Sequence, residues 1–303
     1  MTVSESLIPE QPLRLGEMLA TVFRYLRANP AATLGVGALL STVTSTISAV
    51  VMNGVLASAS SSSPLGRMLA GESLTVAEAA LATKQITDAA PALATAAGIS
   101  VLVQLAAMGV MTLGMVESLQ GNRLAPAQLW RRVAWRRIIG VNLAIVGLML
   151  LAAALPVLLA VVVGGAFGLA SMAIAGLAGL VIAIMTALAV PATVMDGLPV
   201  REALRQSVLV TRNGFFRTAW MLFFASLLWQ AMGNLIGSPV GAIFGAFAGG
   251  TGSPAGSALT SIVASIVAGA ISLPASAGTI TLIYLERVRA SRQNGPGTGA
   301  LPA

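Results

Sequence analysis

Residues 137–196 read RIIGVNLAIVGLMLLAAALPVLLAVVVGGAFGLASMAIAGLAGLVIAIMTALAVPATVMD, with a charge at each end and 58 neutral residues between Arg137 and Asp196. A hydrocarbon core about 30 Å thick needs roughly 20 apolar residues of helix at 1.5 Å rise. This stretch is therefore long enough for two membrane spans. Gly164-Gly165, near its middle, is the natural turn between them.

Applied outward, the same measure sorts the rest of the chain. Arg27 to Arg67 encloses 39 uncharged residues, Asp88 to Glu117 encloses 28, and Arg217 to Glu286 encloses 68. The first holds one span and a loop, because it ends in the serine run of Ser58 and Ser60 to Ser63. The second holds one span. The third holds two, separated by the Gly/Ser/Pro stretch near Gly249 to Gly256. The expectation is an all-α membrane bundle of six spans, about 33–57, 92–119, 138–163, 167–192, 216–236 and 258–284. Pro239 to Gly249 is too short to cross by itself, and reads as a re-entrant half-helix or an outer cap buried against protein. Pro274 predicts a kink in the last span, either a gate or a bend around the bundle.

Composition agrees and excludes much. Of 303 residues, 56% are hydrophobic and 9% charged, whereas a soluble domain is about 45–50% apolar and 25% charged. No cysteine means no disulfide, thiolate nucleophile or iron–sulfur cluster. No histidine removes the commonest general base and transition-metal ligand. With the N-terminus inside, 15 of the 17 basic residues fall on cytoplasmic segments, and only Arg67 and Lys84 lie outside. The positive-inside rule thus places both termini in the cytoplasm, in a multi-pass protein of the plasma membrane. The net charge of +7 is a topology and lipid-surface signal rather than a nucleic-acid one. Residues 1–13 form an acidic N-terminal tail with no signal-peptide pattern, 14–292 the six-span domain, and 293–303 a Gly/Pro-rich disordered tail.

Three short basic segments precede the spans that start inside. Leu15, Met18, Leu19, Val22, Phe23 and Leu26 recur at helical spacing, with Glu17, Arg24 and Arg27 largely opposite. Leu129, Trp130, Val133 and Ala134 alternate with Arg131, Arg132, Arg136 and Arg137, and Val200, Ala203, Leu204 and Val208 face away from Arg201, Arg205 and Arg212. Pro126 and Pro199 stand where a first turn begins. These read as three cytoplasmic interfacial helices, apolar face in the acyl boundary, with Trp130, Trp135 and Trp220 as interfacial aromatics. The order of surface helix, span, span, starting near residues 14, 123 and 199, makes a candidate threefold internal repeat. In the outer loop, 58–91, Thr75 and Glu78 have capping-box spacing and Val76, Ala79, Ala82 and Ile86 suggest a small helix.

Several of these segments carry a family likeness. They are Leu198-Pro199-Val200-Arg201-Glu202-Ala203-Leu204-Arg205-Gln206-Ser207, Thr211-Arg212-Asn213-Gly214-Phe215-Phe216-Arg217, Leu282-Ile283-Tyr284-Leu285-Glu286-Arg287-Val288-Arg289, Arg14-Leu15-Gly16-Glu17 and Phe23-Arg24-Tyr25-Leu26-Arg27-Ala28-Asn29-Pro30. Together they resemble the bacterial integral membrane family labelled "glycerophosphoryl diester phosphodiesterase membrane domain", most nearly its actinobacterial members. The resemblance covers roughly residues 14–292. Phe216 stands where such proteins often have Trp, and Glu286 where they often have Asp. The label implies a six-span membrane protein and not the phosphodiesterase activity. That chemistry uses metal-binding carboxylates and catalytic histidines in a soluble barrel, and this chain has no histidine and no room for the barrel. Sixteen arginines against one lysine, with abundant Ala and Gly, suit a GC-rich genome.

Polar groups inside the spans are few and uncharged: Asn53, Gln104, Asn142, Gln230 and Asn234. Interhelical hydrogen bonding is their ordinary role; Gln104, Gln230 and Asn234 are also the candidates for a polar path. No carboxylate lies at mid-depth, which disfavours ion-coupled transport, and Ser207 and Ser261 have no histidine partner. Glu117, Asp196, Glu202 and Glu286 lie at inner span ends or on the third surface helix, near arginines. Ion pairs that fix the bundle are one reading. A lipid-phosphate site built on Arg205, Arg212, Arg217 and Arg289 is the other. The GxxxGxxxG of Gly241, Gly245 and Gly249, with Gly164-Gly168 and Ser41-Ser45 at the same spacing, lets helices approach closely, within one chain or at a homo-oligomer seam.

The sequence therefore predicts a non-catalytic membrane protein of the bacterial envelope with no cofactor and no metal. It would engage anionic lipid, a membrane-protein partner or its own copies, and not nucleic acid. A permease or lipid transporter, motivated by the repeat, Pro274 and 239–249, is the alternative.

Overall fold

The computed structural model describes residues 15–58, 63–64, 67, 75–122, 125–163, 165–212, 214–250 and 254–294. Among the described residues it is all helix. The α-helices are α1 (Leu15–Ala28), α2 (Val36–Ser58), α3 (Val76–Leu119), α4 (Pro126–Arg132), α5 (Trp135–Val163), α6 (Gly165–Thr186), α7 (Ala189–Asp196), α8 (Val200–Arg212), α9 (Phe215–Phe247) and α10 (Pro254–Asn294). A π-helical turn, Ala31–Gly35, leads into α2.

Five stretches are long and apolar enough to cross a bilayer: Gly98–Leu119, Trp135–Ala152, Gly176–Asp196, Phe215–Phe247 and Gly256–Ala290. A sixth candidate is the pair Leu15–Ala28 and Thr33–Ala49, bent by 87° at the break. That bend is the corner expected between a surface helix and the span that follows it. The order of one short helix and two long ones recurs, as α1-α2-α3, α4-α5-α6 and α8-α9-α10, with α7 as an extra piece.

Several boundaries depart from expectation, each for a physical reason. The capping box forms: Thr75 N–H donates to Glu78 Oε2 at 2.8 Å, and Glu78 N–H to Thr75 Oγ1 at 3.3 Å. The helix it starts does not stop in the loop but runs on as α3 through Pro91, which lies inside it. Residues 239–247 are neither re-entrant nor a separate cap. They complete α9, with Pro239 inside the helix. The fourth span is broken at Ala187-Leu188, and α7 ends on Gly197 at φ 65°, a left-handed cap that suits glycine. Helix α5 ends at Val163 and α6 starts at Gly165, as the glycine pair implies. Gly164 and Asn53's side chain lie outside the described residues. Pro274 is buried within α10, which continues past it.

The chain forms two compact units. The first comprises 1–37, 105–232 and 271–303. Its core takes Met18, Val22, Tyr25 and Leu26 from α1, Ala203 and Val210 from α8, and Trp229 and Leu282 to Leu285 from α9 and α10. The amphipathic stripes of α1 and α8 thus pack against protein, not acyl chains as expected. Leu129 of α4 and the adjacent Val133 are likewise buried. Positions i, i+4, i+7 and i+8 are the buried ones in both α1 and α8, apolar throughout in α1 but including Ser207 and Thr211 in α8.

The second unit comprises 38–104 and 233–270. Here α9 lays Gly233, Gly237, Gly241 and Gly245 against α10. A Cβ at these positions would stand 2.8 Å from the Ala268 carbonyl oxygen, 2.5 Å from that of Ala264, 2.4 Å from that of Thr260, and on the Thr260 hydroxyl. The glycine row is an intramolecular seam. Gly269 of α10 meets Ser41 of α2 just as closely.

Candidate functional site

In the first unit, carboxylates at the arginine-bearing helix ends are tied up one by one. Glu117, on the last turn of α3, has a side chain only 6% exposed; Arg132 at the end of α4 donates to its Oε1 at 3.1 Å and Asn122 to its Oε2 at 2.9 Å. Glu286 on α10 is equally buried and pairs with Arg217 on the first turn of α9. Its neighbour Arg287 is buried too, and donates from Nη2 to the Gly214 carbonyl oxygen at 2.8 Å. A Cβ at 214 would stand within 3 Å of the guanidinium, so any larger residue there would displace the end of the arginine.

Asp196, at the end of α7, is the centre of a third group. Tyr284, fully buried on α10, donates its hydroxyl proton to Asp196 Oδ2. Gln206 of α8 donates from Nε2 to the Tyr284 hydroxyl oxygen at 2.9 Å. Three helices meet on this one acid. Next to it, Arg137 donates to the Gly197 carbonyl oxygen, and Ser207 of α8 to that of Met185 at 2.6 Å. Deeper in the unit, Trp229 donates from Nε1 to Thr279 Oγ1 at 3.0 Å with Phe23 edge-on to its ring, and the Tyr25 hydroxyl reaches the Met111 carbonyl oxygen.

The arginines singled out by sequence have separate fates. Arg217 is committed to Glu286. Arg205 and Arg212 are exposed on α8, opposite its buried face, and Arg289 is half-buried on α10. Among the described residues, none of these last three forms an ion pair, and Glu202 is exposed on α8 as well. The expected pairing of carboxylates with arginines is therefore met at Glu117 and Glu286 by specific partners, and at Asp196 by tyrosine and glutamine.

The intramembrane amides also divide. Asn142 is buried on α5, with no partner for its Oδ1 among the described residues. Gln104, Gln230 and Asn234, expected to bond between helices, instead face outward. Trp220 is 64% exposed, while Trp130 and Trp135 stack on each other at 4.9 Å. Tyr284, Gln206, Trp229 and Arg287 were not singled out by sequence. Tyr284 had a signal: a tyrosine next to the charges that close a span is placed to satisfy a buried acid.

In the second unit, Arg67 pairs with Glu78 at the start of α3. Hydrogen bonds from the backbone and hydroxyl of Thr75, then Arg67, hold the Glu78 carboxyl below the usual glutamate range.

These features define a class: an all-α membrane protein whose polar groups at the helix ends mostly close on each other. Comparison with protein-family models, curated proteins and solved structures gives no match for the chain.

Proposed function

We propose that the protein is a non-catalytic, multi-pass component of a bacterial plasma membrane that holds anionic lipid headgroups on its arginine-rich face. The observation that carries this reading is an imbalance of partners. Glu117 and Glu286 are consumed by Arg132 and Arg217, whereas Arg205 and Arg212 stand exposed and outside any described ion pair. A guanidinium presents a fork of donors that matches a phosphate, and each basic residue near an anionic surface contributes about 1 kcal/mol. By the positive-inside rule this face is cytoplasmic, where the acidic lipids are. The absence of histidine and cysteine supports a role without catalysis. The likeness to the phosphodiesterase membrane-domain family supports an envelope role without its nominal chemistry. Transport remains the second reading, but 239–247, one of its three motives, is ordinary span.

The test is native mass spectrometry of the full chain from bilayers of mixed phosphatidylglycerol and phosphatidylcholine. Arg205→Gln with Arg212→Gln should lower retained phosphatidylglycerol by an order of magnitude or more, from two contributions of about 1 kcal/mol. Retention unchanged by the double substitution, or equal for both lipids in the native chain, refutes the reading.

A further inference from the structure

Every residue of α10 from Thr281 to Val288 is buried, and two of them, Glu286 and Arg287, are charged. Glu286 has its counter-ion in Arg217. Arg287, only 7% exposed, has none: among the described residues it forms no ion pair, and its Nε has no hydrogen-bond partner. Its one described bond runs from Nη2 to the Gly214 carbonyl oxygen. A buried charge without a partner is strongly disfavoured.

The surroundings sharpen the imbalance. Gly214 is the residue just before α9, and the Arg287 guanidinium lies against it. The start of a 33-residue helix carries partial positive charge, and Arg217 stands in that first turn. Two guanidiniums and a helix start therefore face one carboxylate. Donors at the same corner are idle as well. Thr218 N–H donates to the Gly214 carbonyl oxygen at 2.9 Å, and Gly214 N–H to that of Thr211 at 3.1 Å. Both threonines are fully buried, and neither hydroxyl has a partner among the described residues. Glu286 Oε2 is an acceptor without a donor. All of these residues belong to the first compact unit.

We propose that the corner between α8 and α9, backed by α10, is a binding site for a phosphate oxyanion. Arg287 Nε and the Thr211 and Thr218 hydroxyls supply donors, while Arg217 and the start of α9 add positive charge. Glu286 Oε2 can only accept, so it favours an anion that also carries a hydroxyl. Monohydrogen phosphate has one on phosphorus, and phosphatidylglycerol has them on its headgroup; sulfate at neutral pH has none. The four unpartnered atoms are closed to solvent, so entry requires the turn before α9 or the half-exposed Arg217 side chain to move. The site uses neither Arg205 nor Arg212, so it and the lipid retention argued for those two can fail separately.

The probes are sodium phosphate, sulfate and chloride at matched ionic strength, and micelles doped with phosphatidylglycerol or phosphatidylcholine. Each is added to the lipid-stripped full-length protein in neutral detergent, and unfolding is titrated with a denaturing detergent. A ligand of the folded state raises the midpoint in a saturable way. Phosphate or phosphatidylglycerol should do so where sulfate, chloride and phosphatidylcholine do not. A gain from phosphate assigns the site to the free ion; a gain from phosphatidylglycerol alone assigns it to lipid. Thr218→Val removes an idle hydroxyl at nearly constant shape. Without ligand this variant should be as stable as the native chain or more so, yet its response to ligand should weaken roughly tenfold or more. Thr211→Val should behave alike. Thr112→Val, which removes another buried and unpartnered hydroxyl on α3, should leave the response intact, as should Arg205→Gln with Arg212→Gln. The proposal is overturned by no gain from either phosphate source, which leaves the corner to water, or by an equal gain from sulfate. A response indifferent to Thr211→Val and Thr218→Val alike, or lost with Arg205 and Arg212, overturns it too.

Discussion

Replacing Gly237 by alanine tests the seam between α9 and α10 directly. The added Cβ would lie 2.5 Å from the Ala264 carbonyl oxygen and 3.2 Å from the Ala268 nitrogen. Both are backbone atoms of a helix, so no rotamer change relieves the contact. Restoring an ordinary separation of 3.4 Å or more moves the helices apart by about 0.9 Å at this point. A gap of 0.5–1 Å forfeits about a quarter to a half of each dispersion contact it opens. Overpacking of this kind costs about 1–3 kcal/mol. Against it stands the gain of up to about 1 kcal/mol that alanine brings over glycine inside a helix. Because the clash is with fixed backbone the upper end of that cost applies, and the net expectation is a loss of about 2 kcal/mol. Gly98→Ala, with nothing within 4 Å of its Cβ, supplies the control and should be neutral or stabilising. Reversible unfolding in mixed micelles, titrating a denaturing detergent, measures both. If Gly237→Ala is as stable as the native chain while Gly98→Ala behaves as stated, the seam is not packed as described.

Two further outcomes follow from the polar groups. Tyr284→Phe removes the hydroxyl that donates to Asp196 and accepts from Gln206, taking one hydrogen bond from a part-buried carboxylate; the expected loss is about 1–3 kcal/mol in the same titration, and an unchanged midpoint would show that the triad is incidental. Glu78 titrates below the usual range, so its folded pKa is depressed and its contribution to the start of α3 is present above the unfolded value of about 4.3 and fades as pH falls through the folded one. Hydrogen exchange at residues 76–82 should therefore quicken below pH 4, beyond the intrinsic rate, and Glu78→Gln should abolish that pH dependence.

What could be read from the chain alone was whatever depends on length and charge. Fifty-eight neutral residues after Arg137 must be helical spans in a bilayer, whatever they touch, because unpaired backbone is excluded there. The corner after α1, the turn at Gly165 and the capping box at Thr75 followed from local residues in the same way. Contacts could not be read. The apolar faces of α1 and α8 look alike whether they meet acyl chains or Trp229, since both are equally apolar. Asp196, Glu117 and Glu286 share a type and a depth, yet one closes on tyrosine and two on arginine, a choice set by which helix ends the fold brings near. Gln230 and Gly233 sit three residues apart, but only the packing of α10 shows that the glycine is covered and the glutamine is not. A membrane fixes how long each element must be, and packing in three dimensions fixes which of its faces is left over.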